Sequence, residues 1–467
     1  MNKDSNKSIL MIITALFFMW GFLTCMNDIL IPYLKDLFDL KYWQAMLVQF
    51  AFFGAYFIGS LIYFLLSLKF GDPINKIGYQ NGIVIGLVIS SVGCFLFYPA
   101  AQYAMYGFFL SALFILGLGF TMLQIAANPY VSILGPAETA SSRLNMSQAF
   151  NSLGTTIAPI LGGYLIFDLF FSEAMSGDAV KVPYLVFGAL FLLMAIVFKL
   201  IKLPNFVNDS EIVKGIGALK FPNLSLGTIA IFTYVGGEVA IGSFLINFIG
   251  LENIMGLEEA TAKNFLAYYW GGAMIGRFSG AISLSDMPQS KKYLYMVLAS
   301  SLSFGLIFAI ADVSFETVIP YLFIIGINFV AFILGKSVAG RTLGIFASVS
   351  VILILVAMFT NGNIAMWALI GVGIFNSIMW PNIFTLAIKG LGKYTGQASS
   401  LLVMAILGGA LIPLVQGYLA DIIGVQMSFI IPVVCYLYIL FYGFYNSRKE
   451  EETSEEEQEE QAVGMMH

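Results

Sequence analysis

Apolar runs of roughly 20 residues recur along the whole of this chain, and no other feature constrains its fold as strongly. Crossing about 30 Å of hydrocarbon as a helix takes about 20 apolar residues, because each backbone N–H and C=O must find its partner inside the segment. The runs fall near 9–32, 43–68, 80–99, 103–127, 143–168 and 182–202. After a polar stretch they resume near 225–250, 262–285, 292–311, 318–335, 341–360, 364–388, 396–423 and 427–446. Their spacing predicts an all-α, polytopic membrane chain of fourteen helices. Composition removes the water-soluble alternative: 59% of the 467 residues are hydrophobic and 10% charged, against roughly 25% charged in a soluble domain. The first run follows Lys3 and Lys7 but is too long for a signal peptide and lacks a clear cleavage site, so it reads as the first spanning helix.

The basic residues test this count, since Lys and Arg concentrate in cytoplasmic loops. With the N-terminus inside, Lys35, Lys41, Lys181 and Lys263 fall outside and the other eighteen of the 22 fall inside. An even count then places both termini in the cytoplasm. An internal repeat agrees: Pro159-Ile-Leu-Gly-Gly-Tyr-Leu165 matches Pro413-Leu-Val-Gln-Gly-Tyr-Leu419 at an offset of 254. Earlier in each half, Gly54-Ala-Tyr-Phe-Ile-Gly59 echoes Gly271-Gly-Ala-Met-Ile-Gly276 at an offset of only 217. The additional 37 residues enter between these landmarks, where the two short runs of about 292–335 lie. The expected organisation is a six-helix bundle over 1–202, a central cytoplasmic loop over 203–223, and a second bundle with the added hairpin over 224–446. An acidic, disordered tail over 447–467 completes it, its glutamates making the net charge -5.

Cys25, Cys94 and Cys435 lie within apolar runs and form neither a disulfide framework nor a metal-ligand spacing. The one histidine is His467, the last residue, so proton chemistry in the membrane has to use carboxylates. Without a His, metal-ligand or nucleophile constellation, an enzyme is not expected. Nor are a cofactor, a bound metal or a nucleic-acid partner. A charge at lipid depth costs several kcal/mol and is functional by default. Two carboxylates fall inside spans: Asp28 in the first helix and Glu238 in the opening helix of the second half. They are the candidates for binding a coupling cation.

Amides cluster at helical spacing: Gln124 with Asn128, then Asn145, Gln148 and Asn151, and Asn376 with Trp380. Side chains three or four apart share a face. Amides carry both donors and acceptors and suit a ring of hydroxyls, while Trp and Tyr offer flat faces to its apolar side. Tyr234 lies one turn before Glu238. Together these residues favour a hydrophilic solute over the apolar cavity that an efflux antiporter for drug-like compounds would prefer.

The chain resembles the fucose and glucose/galactose symporters of the major facilitator superfamily over nearly its whole length. The resemblance is carried by Asn27-Asp-Ile-Leu-Ile-Pro32, Gln124-Ile-Ala-Ala-Asn-Pro129, Arg143-Leu-Asn-Met-Ser-Gln-Ala-Phe-Asn-Ser-Leu-Gly154, Trp380-Pro-Asn-Ile-Phe384 and Gly408-Gly-Ala-Leu-Ile-Pro413. It implies two six-helix bundles, a central sugar cavity and alternating access in a bacterial inner membrane, with Asp28 serving in coupling. It also implies a monosaccharide partner and a monomer in the bilayer. The fucose symporter carries a glutamate where this chain has Gln124, and an amide where this chain has Glu238. That exchange looks like the glucose/galactose branch. The expected coupling ion is a proton taken up by a buried carboxylate, with sodium as the alternative.

Overall fold

A computed structural model describes residues 3–40, 44, 47–163, 165, 178–201, 203–204, 217–257, 259–311 and 313–464. The described residues are nearly all helical. The first half holds α1 (Lys3–Leu37), α2 (Leu47–Phe70), α3 (Tyr79–Phe95), α4 (Tyr106–Ile133), α5 (Ala140–Gly163) and α6 (Asp178–Leu200). The second holds α7 (Pro222–Ile249), α8 (Glu259–Ser283), α9 (Gln289–Ile310), α10 (Phe315–Gly335) and α11 (Ala339–Phe359). Three helices complete it: α12 (Gly362–Asn376, resuming as Met379–Ile388), α13 (Thr395–Met404, resuming as Gly408–Ile423) and α14 (Ile430–Gly464).

Among the described residues, 11 helices are long and apolar enough to cross a membrane. The other three of the fourteen expected are α1, α5 and α8. They are long enough, at 35, 24 and 25 residues, but α5 carries Arg143 and its amides, and α8 carries Arg277. Those polar groups lower the apolarity of α5 and α8, while in α1 the described apolar stretch is the shorter Leu10–Met26.

The chain divides into two compact units. One comprises Met1–Ala140, Ser147–Leu224 and Ile388–Ala410, and the other Ser141–Met146, Ser225–Ala387 and Leu411–His467. In the first, α3 packs along α4 and α6, and α2 along α4. In the second, α11 packs along α12 and α14, and α8 along α12. The two patterns coincide once α9 and α10 are set aside, so these two helices are the added hairpin. They lie on the outside of the repeat, α9 against α8 and α10 against α11, α12 and α8.

Glycines set the closest crossings. A Cβ on Gly154 of α5 would run into the Phe18 carbonyl oxygen of α1 and stand 2.8 Å from the Phe22 nitrogen, and one on Gly21 would strike the Asn151 carbonyl. Small residues let backbones approach this closely in lipid, where dispersion rather than water drives packing. Gly154→Ala is expected to cost about 2 kcal/mol through overpacking, read as a lower unfolding temperature in detergent. Gly305→Ala, with nothing within 4 Å, is the matched control and should leave that temperature unchanged or slightly raised.

The acidic segment differs from the disordered tail expected: α14 continues as helix to Gly464. Glu is a good helix former, and no Gly or Pro interrupts Lys449–Val463. Among the described residues the cysteines form no disulfide, and Cys94 and Cys435 are buried.

Candidate functional site

In the first unit, α4 and α5 bring three of the expected amides together. Asn128 donates from Nδ2 to Gln124 Oε1 at 2.8 Å, and Gln148 donates from Nε2 to Asn128 Oδ1 at 3.4 Å. All three are buried. The chain of amides extends to aromatic groups, since Trp20 Nε1 donates to Tyr56 Oη at 3.3 Å and the Tyr56 hydroxyl also meets Gln124 and Thr24. Asn151 does not join them. Its Nδ2 donates to the Phe17 carbonyl at 3.0 Å, tying α5 to α1. The reason is geometric: a three-residue step lags the 3.6-residue period by about 60°, so Asn151 lies about 60° round from Gln148 and faces α1. Asn145 belongs to the second unit, where its Nδ2 donates to Asn382 Oδ1 at 2.9 Å and its own buried Oδ1 finds no donor among the described residues.

In the second unit a polar cluster surrounds Asn376. Its Nδ2 donates to Tyr269 Oη at 2.9 Å, its Oδ1 accepts from Tyr436 Oη at 2.5 Å, and its carbonyl accepts from Tyr234 Oη at 3.2 Å. Tyr269 Oη donates in turn to the Glu238 carbonyl at 2.8 Å. Glu238 is half-buried and interacts with Tyr234 and with Arg277 of α8. The arginine is held by a break in α12. Pro381 has no N–H, which leaves the Ser377 carbonyl without its helical donor, and Arg277 Nε supplies one at 3.1 Å. Trp380 stands beside this break, stacked on Phe384 at 5.0 Å.

A third polar centre lies in the first unit outside the spans. Asp72 caps the short helix Pro73–Ile77, its Oδ1 accepting from Ile74 N at 3.1 Å and bonded by the Tyr63 hydroxyl. Its Oδ2 accepts from Gln397 N at 3.0 Å, at the start of α13, with Gly396 N also donating to the carboxylate. A carboxylate is favoured there by the free N–H groups and positive end of the helix. Burial pushes the Asp72 carboxyl above the usual range, against the pull of these donors. Gln397 extends the knot, donating from Nε2 to Ser67 Oγ at 3.2 Å and accepting at Oε1 from Ala218 N at 3.2 Å.

Asp28 sits on the backbone of α1, but its side chain lies outside the described residues. Arg277, Tyr269, Tyr436, Tyr56, Trp20 and Asp72 were not among the residues picked out from sequence. Arg277 carried a signal, as a cation inside an apolar run. So did Asp72, which directly precedes a proline and is therefore placed to cap a helix. The tyrosines carried none, because 23 are spread through the chain.

Comparison with known proteins is decisive for the fold. A sequence profile of the Major Facilitator Superfamily matches residues 9–342. The chain belongs to the major facilitator superfamily. Members of this superfamily are transporters, not enzymes. A glucose/galactose transporter of Brucella abortus is 44% identical over 94% of this chain and 93% of its own length. The L-fucose-proton symporter of Escherichia coli strain K12 is 30% identical, covering 96% of each chain. The crystal structure of the E. coli fucose:proton symporter FucP superposes with a TM-score of 0.73 at 28% identity, over 95% of this chain and 99% of that one. As in that superfamily at large, the chain is a multi-pass membrane protein.

Proposed function

We propose that this protein imports a monosaccharide, glucose or galactose ahead of fucose, by cation symport with alternating access in a bacterial inner membrane. The observation that carries this reading is the pair of polar clusters within otherwise apolar units. Gln124, Asn128 and Gln148 bring donors and acceptors together beside Trp20 and Tyr56, and Tyr234, Tyr269, Asn376 and Tyr436 do the same beside Glu238. Buried amides recognise hydroxyl rings by paired hydrogen bonds, and a solute lacking those groups leaves them unpaired at a large cost. The likeness to a glucose/galactose transporter over most of both chains supports the same substrate class.

Asp28 and Glu238 are the proposed coupling groups. A proton is the first choice of ion, because a carboxyl that gains a proton on one side and releases it on the other links solute movement to the gradient. Sodium is the alternative, bound by the same carboxylates with nearby carbonyl and amide oxygens. In this reading Asn151 acts as a helix clamp with a carbonyl partner, and Arg277 positions Glu238.

Counterflow in proteoliposomes tests the substrate directly. Labelled glucose and galactose are expected to exchange against the same unlabelled sugar faster than fucose does, and accumulation should follow either pH or sodium. Exchange of none of the three sugars would remove the substrate assignment.

A further inference from the structure

The added hairpin forms a cavity that the proposed transport path does not use. Its volume is about 320 Å³, at the small end of ligand-binding cavities. It lies among the C-terminal end of α8, the first turns of α9 and the turn that joins α10 to α11. Its polar wall carries Lys292, Lys336, Ser283 and Ser337, and its apolar wall Met296 and Phe332.

Lys292 is 5% exposed, an unusual state for an ammonium group. Part of its role is structural: Nζ donates to the Ser283 carbonyl at 2.8 Å and to Ser337 Oγ at 2.8 Å, capping the last turn of α8. A lysine has three N–H donors, so the cap uses two and leaves one, on a group that lines the cavity. Asp286 lies near enough to act on this charge but forms no ion pair with it among the described residues. Lys336, exposed and at φ 49°, brings a second cation to the same wall. Two lysines, one of them buried with a spare donor, leave the cavity with a positive surplus that an anion would neutralise.

We propose that this cavity binds the phosphate group of an anionic ligand, with Lys292 and Lys336 as its cations. Lysine recognises phosphate as a point charge, and basic pockets between membrane helices hold anionic headgroups. The favoured source is a phospholipid of the cytoplasmic leaflet. Both lysines lie on the side where basic residues gather, and the apolar wall continues towards Tyr293 and Ile333, which are 38% and 40% exposed. Acyl chains would lie along that surface.

The test uses the full chain in mild detergent, titrated with phosphatidylglycerol or phosphatidylcholine and read by native mass spectrometry. Thermal unfolding is measured beside it, in inorganic phosphate or in chloride at equal ionic strength. Phosphatidylglycerol is expected to bind in preference to phosphatidylcholine, and Lys336→Gln to weaken it about fivefold. Lys291→Gln removes the same charge one residue from Lys292 but outside the cavity lining, and should change binding less than twofold. Lys292→Met should also abolish the preference; because it removes the α8 cap, Lys336→Gln carries the test if that variant does not fold. Stabilisation by inorganic phosphate that Lys336→Gln erases would uphold the site with a soluble source. Equal binding of the two lipids with no phosphate effect would overturn the proposal. So would a loss in Lys291→Gln as large as that in Lys336→Gln.

Discussion

Glu238→Gln is expected to abolish gradient-driven sugar accumulation while leaving counterflow within about threefold of the parent protein. One charge moved through 100 mV is worth about 2.3 kcal/mol, which sustains a solute ratio of about fortyfold. A neutral amide keeps the hydrogen-bonding shape beside Tyr234 but cannot carry the ion, so that ratio should fall towards one. Asp28→Asn is expected to behave alike if the two carboxyls act in one coupling step. The readout separates coupling from folding and from sugar binding, because equal-concentration exchange needs both of the latter and no gradient. Accumulation at the parent level in either variant would take that residue out of the coupling role. A loss of exchange as well, in well-folded protein, would assign the residue to the sugar instead.

Gly396→Ala is expected to lower transport at least tenfold through its contact with Asp72. A Cβ there would fall against the Asp72 carboxylate, 2.6 Å from Oδ1 and nearer still to Oδ2. The helix start must then withdraw, breaking the bonds from Gly396 N and Gln397 N. Hydrogen bonds to charged groups contribute about 1.5–3 kcal/mol each, so a loss of about 3 kcal/mol shifts the docked fraction of this segment about a hundredfold. Asp72→Ala removes the same bonds from the other side and should match it, and the double variant should add little, since both act on one contact. Fully additive losses would show that the two residues work separately. Transport at the parent rate in Gly396→Ala would show that the contact is dispensable.

How much of this was legible beforehand follows from which physics each feature obeys. Helix number and the position of the hairpin were readable, because a bilayer imposes a fixed length on every span and the basic residues sort by side. The offsets of 254 and 217 between paired landmarks pointed to additional helices near 292–335, and α9 and α10 stand apart from the packing pattern that the two halves share. Residue roles within the spans were harder. Spacing alone put Asn151 with Asn145 and Gln148, yet small angular lags accumulate and turn it to α1. Arg277 depends on a carbonyl freed by Pro381 one hundred residues away, and no local pattern links the two. Asp72 meets Gln397 across 325 positions. The acidic tail was judged on charge, whereas its helix reflects the intrinsic preference of glutamate in the absence of breakers.

The hairpin also alters what α8 experiences. Ile307 of α9 fills the groove over Gly271, Tyr321 of α10 reaches Gly272 and donates to the Tyr268 carbonyl at 2.7 Å, and Ser279 pairs with Ser300 at 3.1 Å. A substitution on that flank is therefore screened by neighbouring side chains, as in a water-soluble core, and acyl chains have little say in it. Trimming this protein to a minimal twelve-helix version would mean rebuilding α8, because deletion of 289–335 alone would open its glycine notches to lipid and take the Lys292 ammonium from the Ser283 carbonyl.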